Sequence, residues 1–321
     1  MKEQEIRPKE LFSRYLELSR TDGARLERSN FVSIPCPACD EHEKVVQQFL
    51  KDGFQYMRCL ECGSLFCSPR PTEKQLSTIY NGSESARYWS EVFFPAVAEI
   101  RREKLFKKKA QNLVEVLKER GLSPKSICDV GAGYGIFLEE LQGLLPDVKM
   151  YAIEPDPNLA HRCREKGFET LEAFASESEA WSGRFDLVIS SEVIEHVFSP
   201  FDFVSSLFKL VAAGGTALMT GLGYEGFDIL MLQERSNSIF PPHHLNFLSV
   251  NGFEKIISRA GFTDVEIITP GVLDVDIVRN APDCPELVRV AAMRGEDALL
   301  ELQEWARRNR LSSHVWAFGR K

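Results

Sequence analysis

No apolar run in this chain is long enough to cross a bilayer, no segment repeats another, and no tract is of low complexity. The charge lacks any positive excess: 39 Lys and Arg stand against 47 Asp and Glu, a formal net charge of −8. A general nucleic-acid surface needs a basic footprint, so that class is disfavoured. Residues 1–80 balance twelve basic against twelve acidic side chains, so this part is no polyanion clamp either. No secretory signal opens the sequence, and a cytoplasmic location is expected. The composition agrees with an intracellular enzyme, and the length allows one large domain plus a small one.

Glycine is concentrated where it can do chemistry. Ile127-Cys-Asp-Val-Gly-Ala-Gly-Tyr-Gly135 reads as a strand and a tight turn, and Phe137 to Leu145 follows helically. Glycines at 131, 133 and 135 allow a sharp turn and a close backbone approach to a ligand. The helix start behind them presents free N–H groups. A second strand ends in Tyr151-Ala-Ile-Glu-Pro-Asp156, which places Glu154 about 20 residues on, where a carboxylate meets ribose hydroxyls. A ligand-free strand-to-helix turn is the plain alternative. The third glycine comes one residue early for a dinucleotide fingerprint, and Asp129 would repel a diphosphate but tolerate an ammonium group.

Asp129 to Gly135 resembles the first motif of the class I S-adenosylmethionine-dependent methyltransferases. Arg184 to Val197 is similar to that family's fourth strand and the loop after it; Leu207 to Thr220 is similar to the next helix and fifth strand. The resemblance covers about residues 121–270. It implies a cofactor pocket of Asp129, Gly131, Gly133, Gly135, Glu154, Pro155, Asp156, Ser191, Glu192 and His196, with Glu195 beside it. It also implies an α/β fold, a Rossmann-like doubly wound sheet of seven strands with the last one, Ser313–Arg320, antiparallel.

Half of the eight cysteines form Cys36-Pro-Ala-Cys39 and Cys59-Leu-Glu-Cys62. Two such knuckles 19 residues apart match a four-cysteine zinc ribbon, and Gly63 suits the second turn. The short strands expected between them, with Phe49, Phe54 and Tyr56, would lean on the metal for stability. Unrelated buried cysteines or disulfides are the alternatives, disulfides being disfavoured by the expected compartment. Such knuckles ahead of this core resemble bacterial sugar-modifying and glycan-tailoring methyltransferases.

Three regions follow: 1–71 with a charged helix and the ribbon, 72–120 helical, and 121–321 for the cofactor domain. Breaks are expected near Asn81-Gly82 and Pro95. The basic run Arg101-Arg102 and Lys107-Lys108-Lys109 reads as the solvated face of a helix whose stripe is Ala110, Leu113, Val114 and Leu117. Tyr88-Trp89 reads as part of a lid, and Asp274 and Asp276 as acids that could approach the acceptor.

Ile239-Phe-Pro-Pro-His-His-Leu-Asn-Phe247 follows the fifth strand and should reach the cofactor edge. His243 and His244 are the candidate catalytic bases for a hydroxyl that must lose its proton. The expectation is O-methylation of a small sugar-like acceptor, with C-methylation less favoured because no sizeable further domain follows. Competing readings are an RNA base methyltransferase with a zinc knuckle, a nicotinamide-dependent oxidoreductase and a non-catalytic cofactor binder.

Overall fold

The computed structural model describes residues 2–321. Its central sheet consists of β4 (Ser126–Val130), β5 (Lys149–Ile153), β6 (Glu169–Leu171), β7 (Phe185–Ser191), β8 (Val211–Leu222), β10 (Thr263–Ile268) and β11 (His314–Arg320). The spatial order is β10-β11-β8-β7-β4-β5-β6, with β11 antiparallel to both neighbours and the other pairings parallel. This is the expected seven-stranded α/β sheet. Parallel strands covered on both faces need apolar side chains on both sides. Ile127, Cys128, Leu187, Val188 and Ile189 are accordingly buried in the two large clusters above and below.

The connections leave β4 toward β5 on one side, while β7 lies on the other, so the chain direction switches between β4 and β7. A crevice opens at such a point outside the carboxyl ends of the strands. Helix starts there are well specified. Asp156 caps the helix Pro157–Glu165 through the N–H groups of Asn158 (2.8 Å) and Leu159 (3.0 Å), and Ser199 caps Pro200–Leu210.

A second, four-stranded antiparallel sheet is built from β1 (Val45–Lys51), β2 (Phe54–Cys59), β3 (Leu65–Cys67) and β9 (Asn246–Phe247). Asp52 and Gly53 both take positive φ, the two-residue turn that matches strand twist. Its fourth strand comes from the excursion after β8, so residues 180 apart in sequence share one ladder. Arg70 locks this junction. Its fully buried guanidinium donates to the carbonyls of Cys67 (2.9 Å) and Phe198 (2.8 Å) and to Asn246 Oδ1 (2.8 Å).

Two expectations for residues 72–120 need correction. Ser83 does separate Glu73–Gly82 from the next helix, but Pro95 breaks nothing. From Glu84 the chain stays helical to Glu119, with wider π-type turns at Trp89–Phe93 and Arg102–Phe106. Pro95 directly follows the first of these inside a continuous helix, where the wide turn has already shifted the i→i−4 ladder and accommodates the missing N–H. The basic run is also not one solvated face. Arg102 pairs with Glu139 (2.5 Å) and Glu140 (2.9 Å), whereas Arg101 and Lys109 point inward. No helix of the described residues is long and apolar enough to cross a membrane.

Removing a buried guanidinium leaves its acceptors without donors. Arg70→Ala is therefore expected to lower unfolding stability by about 3 kcal/mol or more, measured by urea denaturation. A loss near zero would show that the junction does not depend on it.

Candidate active site at the carboxyl edge of the sheet

β4 delivers Asp129 to the crevice and turns through Gly131, Gly133 and Gly135, at φ +79°, +56° and +68°. The three glycines serve different ends. A Cβ on Gly131 would lie 2.7 Å from Val193 Cγ2, and one on Gly135 3.1 Å from Cys163 Sγ, so both are needed for close packing. A Cβ on Gly133 would meet nothing within 4 Å: its free side faces open space.

Glu154, at the end of β5, clamps this turn. Its Oε2 accepts from the Gly133 N–H (2.7 Å) and its Oε1 from the Asp156 N–H (3.0 Å). Burial raises its pKa and these bonds only partly oppose that. Pro155 lies between Glu154 and the helix-capping Asp156, also at this edge. Burial pushes Asp129 up to about 7, with Lys109 acting in the opposite direction.

β7 supplies the facing wall. Glu192, in the left-handed region at φ +56°, accepts from Thr220 Oγ1 (2.6 Å) and sits 3.4 Å from His314 Nε2 and 3.8 Å from Lys109 Nζ. Burial alone would raise its pKa, but His314, Lys109 and Thr220 together hold it low. Burial, then the nearby Glu192 charge, raises Glu195 well above the carboxylate range. Asp129 Oδ1, Ser191 Oγ and Glu195 Oε2 are buried without a hydrogen-bond partner. Buried polar atoms are rarely left so, and these three lie near the end of β4, at the end of β7 and in the loop after it. Asp129 and Ser191 suit a ligand bearing ammonium and hydroxyl donors.

Several contributors escaped the sequence reading. Lys109 lies four residues before Leu113, hence on the buried stripe, and its ammonium donates to Thr220 Oγ1 (2.9 Å). That spacing was the available signal. The Arg101 guanidinium packs near the rings of Trp89 and Phe94. Phe94 stacks on Tyr134 of the glycine turn at 4.2 Å, and Tyr134 Oη donates to the Ser90 carbonyl (2.6 Å). Contact with the turn thus runs through Ser90 and Phe94, while Trp89 stacks on Phe93. Asp274 is bound into Ser312, Ser313 and Gln303, and Asp276 accepts from the Glu3 N–H, so both acids serve local structure.

The segment 239–247 is stitched to the loop after β7. The N–H groups of Leu245 and Asn246 donate to the Glu195 carbonyl, and Asn246 Nδ2 donates to those of Ile194 (3.2 Å) and Val197 (2.8 Å). His243 and His244 are both buried. His243 Nε2 pairs with Ser85 Oγ (2.9 Å), and His244 Nδ1 donates to the Ser238 carbonyl (2.7 Å). Burial lowers His243 to about 3 and His196 to about 4, and lowers His244 well below its usual range, so burial favours the uncharged form of all three imidazoles. His196 packs edge-on to His244, with ring centroids 4.6 Å apart.

The four cysteines converge at the other end of the small sheet. Cys36 and Cys62 Sγ lie 3.5 Å apart, Cys39 and Cys59 Sγ 3.6 Å, and all four within 4.8 Å of one another. Thiolates around a tetrahedral zinc at about 2.3 Å stand about 3.8 Å apart. Both knuckles close alike: Asp40 and Gly63, each at positive φ, donate their N–H to the carbonyls of Cys36 and Cys59 at 2.9 Å. The cluster is consistent with a zinc ribbon.

Comparison with known proteins decides the family, since a family described as a methyltransferase domain matches residues 98–267. The chain belongs to it. Among curated proteins it is similar to malonyl-[acyl-carrier protein] O-methyltransferase of Paenibacillus sp. (strain JDR-2), 24% identical over 49% of this chain and 62% of that one. It is also similar to tRNA U34 carboxymethyltransferase of Pseudomonas fluorescens (strain Pf0-1), 29% identical over 50% of this chain and 52% of that one. The chain thus spans little more than half the length of these curated relatives. In fold it is similar to a Thermotoga maritima methyltransferase described as a possible histamine N-methyltransferase. That likeness has a TM-score of 0.50 and 14% identity, over 71% of this chain and 96% of that one.

Because Asp129 has a higher pKa folded than its ordinary 3.8, ionising it opposes folding. That loss accrues as pH rises from about 4 to about 7 and is complete above. Asp129→Asn is expected to match the parent in thermal midpoint near pH 4 and exceed it at pH 8, both without ligand. Equal midpoints at pH 8 would remove the buried-acid account.

Proposed function

We propose that this protein transfers a methyl group from S-adenosylmethionine to a small hydroxylated, sugar-like acceptor. The observation that carries the cofactor is the unpartnered Asp129 Oδ1 beside the open side of Gly133 and the Glu154 clamp. Asp129 would hold the ammonium of the methionine part, and Glu154 the ribose hydroxyls. Ser191, Glu192 and His196 would line the opposite wall. When bound, the cofactor supplies an electrophilic methyl on a sulfonium. The chain's task is to align an acceptor oxygen with it and let the hydroxyl proton depart.

Segment 239–247 carries the acceptor side in this reading. His244 faces His196 there, while His243 is held by Ser85. Neutral imidazoles can accept a proton, but burial makes these two weak bases, so their contribution rests on position as much as on proton affinity. Residues 1–71 would hold structural zinc, 72–120 would cover the cofactor edge, and 121–321 would bind the cofactor. A sugar acceptor draws its support from the four-cysteine segment ahead of the core. An RNA acceptor is the second reading, favoured by the tRNA-modifying relative and opposed by the negative net charge. O-methylation is preferred to C-methylation, and a nicotinamide cofactor is opposed by Asp129.

Calorimetric titration is expected to show micromolar binding of S-adenosylmethionine and S-adenosylhomocysteine, and none of NAD. Gly133→Val should weaken both by about a hundredfold, because its side chain enters the open space and a β-branched residue strains the left-handed turn at φ +56°, while far-ultraviolet dichroism is expected to show the sheet still folded. NAD binding alone, or full affinity in the variant, would end this reading. Separately, Cys59→Ser should lose about one equivalent of zinc by elemental analysis and become more sensitive to proteolysis within residues 36–67. Unchanged metal content would show that these thiols are not ligands.

A further inference from the structure

We propose that Glu195, His196 and His244 form a second metal site, for a divalent transition-metal ion, distinct from the four cysteines. A carboxylate oxygen of Glu195 and one ring nitrogen from each histidine lie within 4.8 Å of one another. These atoms come from two segments that the backbone bonds of Leu245 and Asn246 to Glu195 hold in fixed register. The placement therefore does not depend on mobile side chains meeting by chance.

Each donor is prepared for a cation. His244 Nδ1 must carry its proton, because its partner is the Ser238 carbonyl; that leaves Nε2 with the lone pair. His196 Nδ1 lies 3.0 Å from both the His243 carbonyl and the Tyr80 hydroxyl; the hydroxyl can donate to the same carbonyl (3.1 Å), and with Nδ1–H donating to that carbonyl, Nε2 of His196 keeps the lone pair. A carbonyl behind each imidazole is the arrangement that orients metal-ligating histidines. A carboxylate oxygen of Glu195 is the third donor. Glu195 is 1% exposed and its Oε2 has no partner; burial favours the neutral acid, and a cation bound here would stabilise the carboxylate as the proton leaves.

Two nitrogens and one oxygen suit Zn²⁺, Co²⁺, Mn²⁺ or Fe²⁺ rather than Mg²⁺ or Ca²⁺. Three protein ligands also leave coordination positions open, unlike the closed set of four thiolates. Lying just beyond β7, an ion here could take an acceptor hydroxyl and lower its pKa, the proton leaving to solvent. That role rests on the methyl-transfer reading; the site itself does not.

The test uses the full chain, washed with a mild chelator and carrying its thiolate-bound zinc, titrated with CoCl₂ without cofactor. Uptake of one further equivalent is expected, with cobalt d–d absorption but no thiolate-to-cobalt charge-transfer band. Glu195→Gln and His244→Gln should each weaken that uptake by about tenfold or more. Both should retain one zinc per chain, which reports that the small sheet is folded. No cobalt uptake, uptake only with a thiolate band, or full affinity in either variant overturns the assignment. A failed S-adenosylmethionine titration would leave it untouched.

Discussion

The pairing of Arg70 with Asn246 is the contact through which the rest of the site is held. Asn246 uses its oxygen for the guanidinium and its amide hydrogens for the carbonyls of Ile194 and Val197. Arg70 meanwhile reaches Cys67 in the small sheet and Phe198 after β7. Three remote stretches, the cysteine-bearing sheet, the loop after β7 and the histidine segment, thereby share one buried polar junction. Its worth comes from low dielectric: fully satisfied, such a network is rigid, and broken at any member it strands several groups away from water.

That rigidity supports a site that is itself electrostatically unfavourable to fold. Asp129, Glu154 and Glu195 are buried acids with raised pKa values, and two of them keep an unpartnered oxygen. Lys109 and His314 offset only Glu192 well. A fold tolerates such groups when a ligand completes them, and the surrounding packing must supply the stability that they withhold. The apolar clusters on both faces of the sheet do so, while the carboxyl edge stays polar.

Much of this was legible in the sequence, for local reasons. The glycine turn, the carboxylate after β5 and the paired C-x-x-C knuckles depend on spacing within a few residues, and backbone sterics translate such spacing directly into geometry. Even there one distinction was hidden. Gly131, Gly133 and Gly135 read alike, yet two are required by Val193 and Cys163 and only one borders open space. Lys109 was misread because a charge run suggests solvent, although its register places it on the stripe with Leu113. Pro95 misled in the opposite direction, since a preceding π-type turn lets the helix continue.

The sequence alone determined the seven-stranded α/β layout and pointed to the family and to where the glycine turn and the four cysteines lie, because periodicity and motif order are properties of neighbouring residues. Tertiary structure decided what lies against what. It brought β9 across 180 residues to complete the small sheet, turned Asp274 and Asp276 to structural bonding, and set His244 against His196 and Glu195. The reason is that burial and partnership of polar groups are set by long-range packing, which no local spacing encodes.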